Sequence, residues 1–137
     1  MRTPIVDFIK SYNKNGGVRF HMPGHKGRNL LGFEDWDITE IKGADSLYEA
    51  DGIIAESEKN AAELFGANKT CFSTEGSSQC IRAMLYLVLN NRPKNSKPVI
   101  LAARNVHKAF VYAAALLDFE IEWLWPEKSH SLCVGEI

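Results

Sequence analysis

Between residues 70 and 125 short apolar runs alternate with longer helix-like ones, and that alternation confines the chain to one fold class. Residues 70–73 read as a strand, 78–90 as a helix, 99–102 as a strand, 106–117 as a helix and 120–125 as a strand ending at Pro126. Strands joined through helices run parallel, because the crossover returns the chain to the same end of the sheet, and such crossovers are right-handed. The expected class is α/β. Helix 78–90 carries Ile81, Met84, Leu85, Leu87, Val88 and Leu89 around most of its circumference, which predicts burial on more than one side. Three parallel strands normally have helices on both faces and further strands beside them, yet only eleven residues follow Pro126. The sheet is therefore expected to be partial.

The first half is less regular. Residues 4–12 suit a short helix with Ile5, Phe8 and Ile9 on one face, stopped by Asn15-Gly16-Gly17. A loop dense in glycine, proline and cations follows over 19–28, and 33–52 looks irregular. Gly52 then opens a helix over 53–65, whose Ile54, Ala55, Ala61, Ala62, Leu64 and Phe65 suit one packed face, and Gly66 stops it.

With 137 residues, 45% of them hydrophobic, the chain can bury one core. A net charge of −1, with acids and bases interspersed, gives no footprint for nucleic acid or a membrane surface. The longest apolar run, 81–89, contains Arg82 and is far shorter than the roughly 20 residues that span a bilayer. Met1-Arg2-Thr3-Pro4-Ile5 lacks the apolar stretch of a secretory signal. Cys71, Cys80 and Cys133 are odd in number and widely spaced, which fits neither a disulfide framework nor a zinc site. A reduced, cytoplasmic protein is expected.

Ligands of open α/β sheets sit beyond the carboxyl ends of the strands, and two such ends carry chemistry here. At the first, Thr74-Glu75-Gly76-Ser77-Ser78 turns a strand through glycine into a helix that begins with two hydroxyls. Free N–H groups, hydroxyls and the positive helix end then meet at one point, which suits a phosphate. The same serines also suit plain N-capping. At the second end, Arg104-Asn105-Val106-His107-Lys108 brings an imidazole to a helix start. If the two strands are neighbours, His107 lies over the same crevice, and the pair suits a planar phosphorylated aromatic ligand. The alternative for His107 is a water-facing residue. No P-loop, dinucleotide fingerprint or nucleophile elbow is present. His21 and His25 have the spacing of a helical metal pair, but Pro23-Gly24 between them breaks the helix, and no metal site is expected.

Four blocks in order now resemble one family. They are Phe20-His21-Met22-Pro23-Gly24-His25-Lys26-Gly27; Gly43-Ala44-Asp45-Ser46-Leu47 with Gly52-Ile53-Ile54, Glu58 and Ala61-Ala62-Glu63-Leu64-Phe65-Gly66-Ala67; the Thr-x-Gly-Ser-Ser turn; and Ala103-Arg104-Asn105-Val106-His107-Lys108. Together they resemble the pyridoxal-phosphate-dependent ornithine/lysine/arginine decarboxylases over roughly residues 4–126. The resemblance implies an incomplete aspartate-aminotransferase-like fold (fold type I), with a partial mixed or parallel sheet. Residues 1–42 would be an N-terminal helix and loop segment, and 43–137 the first part of the cofactor-binding major domain. It implies a basic amino acid as substrate, pyridoxal 5'-phosphate as cofactor, and a homo-oligomer or assembly with the remainder of the enzyme. Gly76, Ser77 and Ser78 would bind the cofactor phosphate, His107 would stack on its ring, and the Pro23-to-Gly27 loop would lie near the active-site entrance or a subunit interface.

Two family features have no counterpart here: the cofactor-bearing lysine of a Ser-x-His-Lys motif and the aspartate facing the pyridine nitrogen. Lys108 follows His107, but Asn105 stands where the motif needs serine. Asp118 is expected to start a strand rather than end one. No catalytic residue is therefore expected in this chain, which alone is expected to be inactive. A transaminase or other lyase of the same fold, or a non-catalytic remnant or partner-binding module, are the alternatives.

Overall fold

The computed structural model describes residues 2–93 and 97–126, and the chain divides between Phe72 and Ser73 into two compact units. In the first unit, helix α1 spans Pro4–Lys14. Proline fits its first turn, where an amide hydrogen would lack an acceptor anyway. Asp7 reaches back to accept from the Thr3 N–H at 3.2 Å and from the Thr3 hydroxyl at 3.0 Å. A single 3-10 turn covers Glu34–Trp36, and helix α2 covers Ile53–Phe65. Helix α2 ends on Gly66 in the left-handed conformation, with φ 64°. The Ala67 N–H donates to Ala62 O at 2.9 Å and the Gly66 N–H to Glu63 O at 3.3 Å, so two of the last carbonyls are satisfied. Helices α1 and α2 pack together, and Ile9 and Ala62 are buried.

In the second unit, helix α3 (Gly76–Asn90), strand β1 (Val99–Ala103), helix α4 (Lys108–Leu117) and strand β2 (Glu120–Leu124) follow in order. The strands are parallel, with Val99 opposite Glu120 and Ala103 opposite Leu124. Leu85, Ala113 and Phe119 are the buried centre, surrounded by Ile81, Leu89, Ile100, Phe110, Leu117 and Ile121. Ala113 is 0% exposed, and its single methyl lets α3 and α4 approach closely. Phe110 and Phe119 meet edge to face at 5.6 Å, an arrangement that ring quadrupoles favour.

The helix over 53–65 has the bounds expected from its flanking glycines, while other elements differ. Residues 70–73 form no strand, so the described sheet has two parallel strands and not three. A strand exists only through a ladder partner, and the Phe72 N–H instead donates to Glu58 Oε1 at 2.7 Å. Helix α3 starts two residues early, at Gly76, and α4 starts two late, at Lys108. Asp118 does not start a strand: with φ 52° it caps α4 in the left-handed conformation, and β2 begins at Glu120. Helix α3 is not buried all round. Its Ile81, Leu85 and Leu89 pack inward, while Met84, Leu87 and Val88 are exposed. The eleven residues after Pro126 lie outside the described ones. No helix among the described residues is long and apolar enough to cross a membrane.

Candidate functional site

The start of α3 is built as a donor site. Its N-cap is Glu75, which makes no side-chain cap bond and pairs with Arg82 instead. Gly76, Ser77 and Ser78 are the first three residues of α3. Helix geometry gives their N–H groups no acceptor within the helix, and among the described residues no side chain supplies one. Gly76 has φ 61°, a left-handed conformation that glycine adopts without strain, and a Cβ there would meet nothing within 4 Å. Ser77 is exposed and Ser78 half-buried. Ser73 Oγ donates to Gln79 Oε1 at 2.6 Å, tying the preceding loop to the first turn. The positive end of a fifteen-residue helix thus stands open beside two hydroxyls.

His107 begins the neighbouring helix of the same unit, since α3 and α4 pack on each other. It is the N-cap of α4, and its Nδ1 accepts from the Ala109 N–H at 3.2 Å. An accepting Nδ1 carries no proton, so the neutral ring bears its hydrogen on Nε2. The imidazole is exposed, and so is Lys108, the first residue of α4. Val106 N–H donates to Ala103 O at 3.4 Å and closes the turn that leads from β1 to His107.

The first unit holds the glycine- and proline-rich loop through polar contacts. Buried Arg19 donates to Asn13 Oδ1 and to Glu34 O at 3.5 Å, stands 3.9 Å from Asp35, and lies 5.0 Å from the Tyr12 ring centre. His21 and His25 take separate partners. His21 bonds the Tyr12 hydroxyl at 2.9 Å and the Met22 carbonyl at 2.7 Å, while His25 Nδ1 accepts from the Gly27 N–H and its Nε2 faces Asp37 at 3.4 Å. Among the described residues there is no cluster of three potential metal ligands.

Two carboxylates in that unit were not legible as special. Glu34 accepts from four successive N–H groups, those of Leu30, Leu31, Gly32 and Phe33, at 3.0, 2.7, 2.9 and 3.1 Å. Removal from water opposes its ionisation, but the backbone donors outweigh that and lower its pKa to about 2. Asp45, at φ 68°, accepts from Ser46 and Asp51 on one oxygen and from Gly52 and Ile54 on the other. Desolvation again opposes ionisation and the four N–H groups prevail, holding the carboxyl well below its usual range. Asp45 thereby caps α2 from seven residues before Gly52, where a local capping pattern gives no hint of it.

Comparison with known proteins adds a common ancestry to this geometry. The family described as Orn/Lys/Arg decarboxylase, major domain, matches residues 3–137. The chain is 32% identical over 139 residues to the arginine decarboxylase of Halalkalibacterium halodurans, covering 92% of this chain and 27% of that one. It is 32% identical over 146 residues to the arginine decarboxylase of Bacillus subtilis, covering 97% and 28%. The ornithine decarboxylase of Haemophilus influenzae is 29% identical over 132 residues, covering 85% and 18%. The chain thus spans about a quarter of the length of the arginine decarboxylases it matches.

Proposed function

The chain belongs to the Orn/Lys/Arg decarboxylase family, and from that premise we propose that it supplies the phosphate- and ring-binding half of a pyridoxal-phosphate-dependent decarboxylase of basic amino acids. The observation that carries this reading is the open start of α3, where Gly76, Ser77 and Ser78 offer unpartnered N–H groups and two hydroxyls to a dianion. The parent fold is aspartate-aminotransferase-like, with 1–42 as the leading helix and loop segment and 43–137 as the first part of the cofactor-binding domain. A basic amino acid as substrate is supported by the names of the relatives, which are arginine and ornithine decarboxylases. The free, exposed thiols of Cys71 and Cys80 suit a reducing, cytoplasmic setting.

The chemistry of the residues present suits each end of the cofactor. N–H groups and hydroxyls at a helix start suit a phosphate, and a neutral, exposed imidazole presents a flat face for a pyridine ring. When bound, the ring supplies an electron sink for the bonding pair left behind by departing CO2. Gly76 lets the backbone approach the phosphate without a side chain in the way. Ser77 and Ser78 would donate to its oxygens, and the capping bond from Ala109 keeps the His107 proton on Nε2. Lys108 begins α4 directly after that cap, and Asp118 closes its far end, so neither is assigned to the cofactor's covalent attachment or to its ring nitrogen. Decarboxylation would then draw on residues from the remainder of the enzyme, and the assembled enzyme would be a homo-oligomer.

Titration of the chain with pyridoxal phosphate and with pyridoxal tests the reading. One helix start and one stacking ring suit a Kd of about 1 mM, near 4 kcal/mol. Ser77→Ala is expected to weaken pyridoxal phosphate and leave pyridoxal unchanged. Equal weakening of both ligands rejects the phosphate role.

A further inference from the structure

Arg104 is the first residue beyond β1, and its guanidinium lies over two indoles at the end of β2. Its central carbon is 4.5 Å from the ring centre of Trp123 and 4.8 Å from that of Trp125. The strand register puts Ala103 opposite Leu124, so the next position along, Arg104, falls opposite Trp125. Among the described residues Arg104 has no carboxylate partner, and the two ring contacts are what hold its side chain. Planar guanidinium on planar indole fixes both position and orientation, which a point charge on a flexible stem does not.

We propose that Arg104 is a positioning residue for His107. Four residues, 104–107, join β1 to α4, and the ladder between the strands ends before them. Their backbone is fastened at one end by the Val106–Ala103 bond and at the other by the His107 cap on Ala109. Among the described residues, Arg104 is the side chain of that turn with ring contacts at and just beyond the end of β2. Pinning the turn to β2 limits how far His107 can swing, and so preserves both its cap and the direction of its ring. The role of His107 toward the cofactor ring is the reading given above, whereas its orientation in the free chain does not depend on it.

The test uses the whole chain, isotopically labelled and without cofactor. Nitrogen chemical shifts of His107 report its tautomer, and amide hydrogen exchange is compared between Ala109, which donates to the cap, and Ala113 in the core. Arg104→Ala is expected to raise Ala109 exchange about tenfold relative to Ala113, as expected for loss of most of one helix cap, and to mix the His107 tautomers. Arg104→Lys, which keeps a cation for the indoles without the plane, is expected to fall between. Trp125→Leu, at an exposed position, should reproduce the effect and serves if Arg104→Ala does not fold. A change below twofold, or an equal rise at Ala113, overturns the proposal. Because no cofactor is present, that failure is distinct from failure of the pyridoxal phosphate titration.

Discussion

A Cβ placed on Gly27 would lie 2.7 Å from Nη1 of Arg19, closer than any real side chain tolerates. The glycine that closes Pro23-Gly24-His25-Lys26-Gly27 thus faces an arginine eight residues earlier, which would have to shift from its place against Asn13, Glu34 and the Tyr12 ring. Gly27 also has φ 70°, so alanine there would be strained even with room for it. Gly27→Ala is expected to destabilise the first unit by about 1–3 kcal/mol. Gly24→Ala, with nothing within 4 Å of the new methyl, should cost well under that. Urea midpoints of the two variants check the difference, and equal midpoints contradict it.

Glu34 makes the same unit sensitive to acid. Its folded pKa, about 2, is depressed from the ordinary 4.5. The stabilisation is therefore complete above pH 4.5 and is lost as pH falls from there toward 2, because protonation then costs the four backbone bonds. Glu34→Gln offers one carbonyl oxygen where four N–H groups need two, so it is expected to be less stable at neutral pH. It should also flatten the loss of stability between pH 4.5 and 3. An unfolding series that falls as steeply in the variant as in the parent rules out this carboxylate as the source.

His107 has two separable tasks. As N-cap it satisfies the Ala109 N–H, and as an exposed ring it offers a face to a ligand. His107→Ala is expected to lose both, costing about 1 kcal/mol of stability. His107→Asn keeps an oxygen acceptor at a position that favours asparagine, so stability should stay within about 0.5 kcal/mol of the parent. Thermal unfolding measures the first task and pyridoxal binding the second. If His107→Asn binds pyridoxal as well as the parent does, the ring has no stacking role.

What could be read in advance followed the range of the interactions. Helix 53–65 was legible to the residue because Gly52 and Gly66 punctuate it locally, and the parallel pair was legible because α4 separates two β-rich runs. Residues 70–73 look like a strand from composition, but strand formation is decided by a partner, and composition does not encode one. The candidate residues Gly76, Ser77, Ser78 and His107 were found at helix starts, although the serines proved to lie past the cap and the histidine proved to be one. Asp45, Glu34 and Arg104 went unseen as structural devices. Their partners are backbone amides brought close by a turn, or indoles nineteen and twenty-one residues away, and no periodicity marks such contacts.

The apolar side chains left in water make the last prediction. On α3, Leu87 and Val88 are each 60% exposed, and on α4 Leu116 is 70% exposed. Val99 and Leu101 on β1 are also exposed, beside a strand whose sheet has two members among the described residues. Apolar side chains exposed in this number favour association, and a strand edge templates it. The purified chain is expected to self-associate at micromolar concentration, as read by light scattering. Leu87→Glu with Leu116→Glu should shift it toward monomer while keeping cooperative unfolding, because neither side chain belongs to the buried Leu85–Ala113–Phe119 centre. A parent chain that is already a monodisperse monomer would show that these faces are tolerated in water, and would favour an autonomous small domain over one part of a larger enzyme.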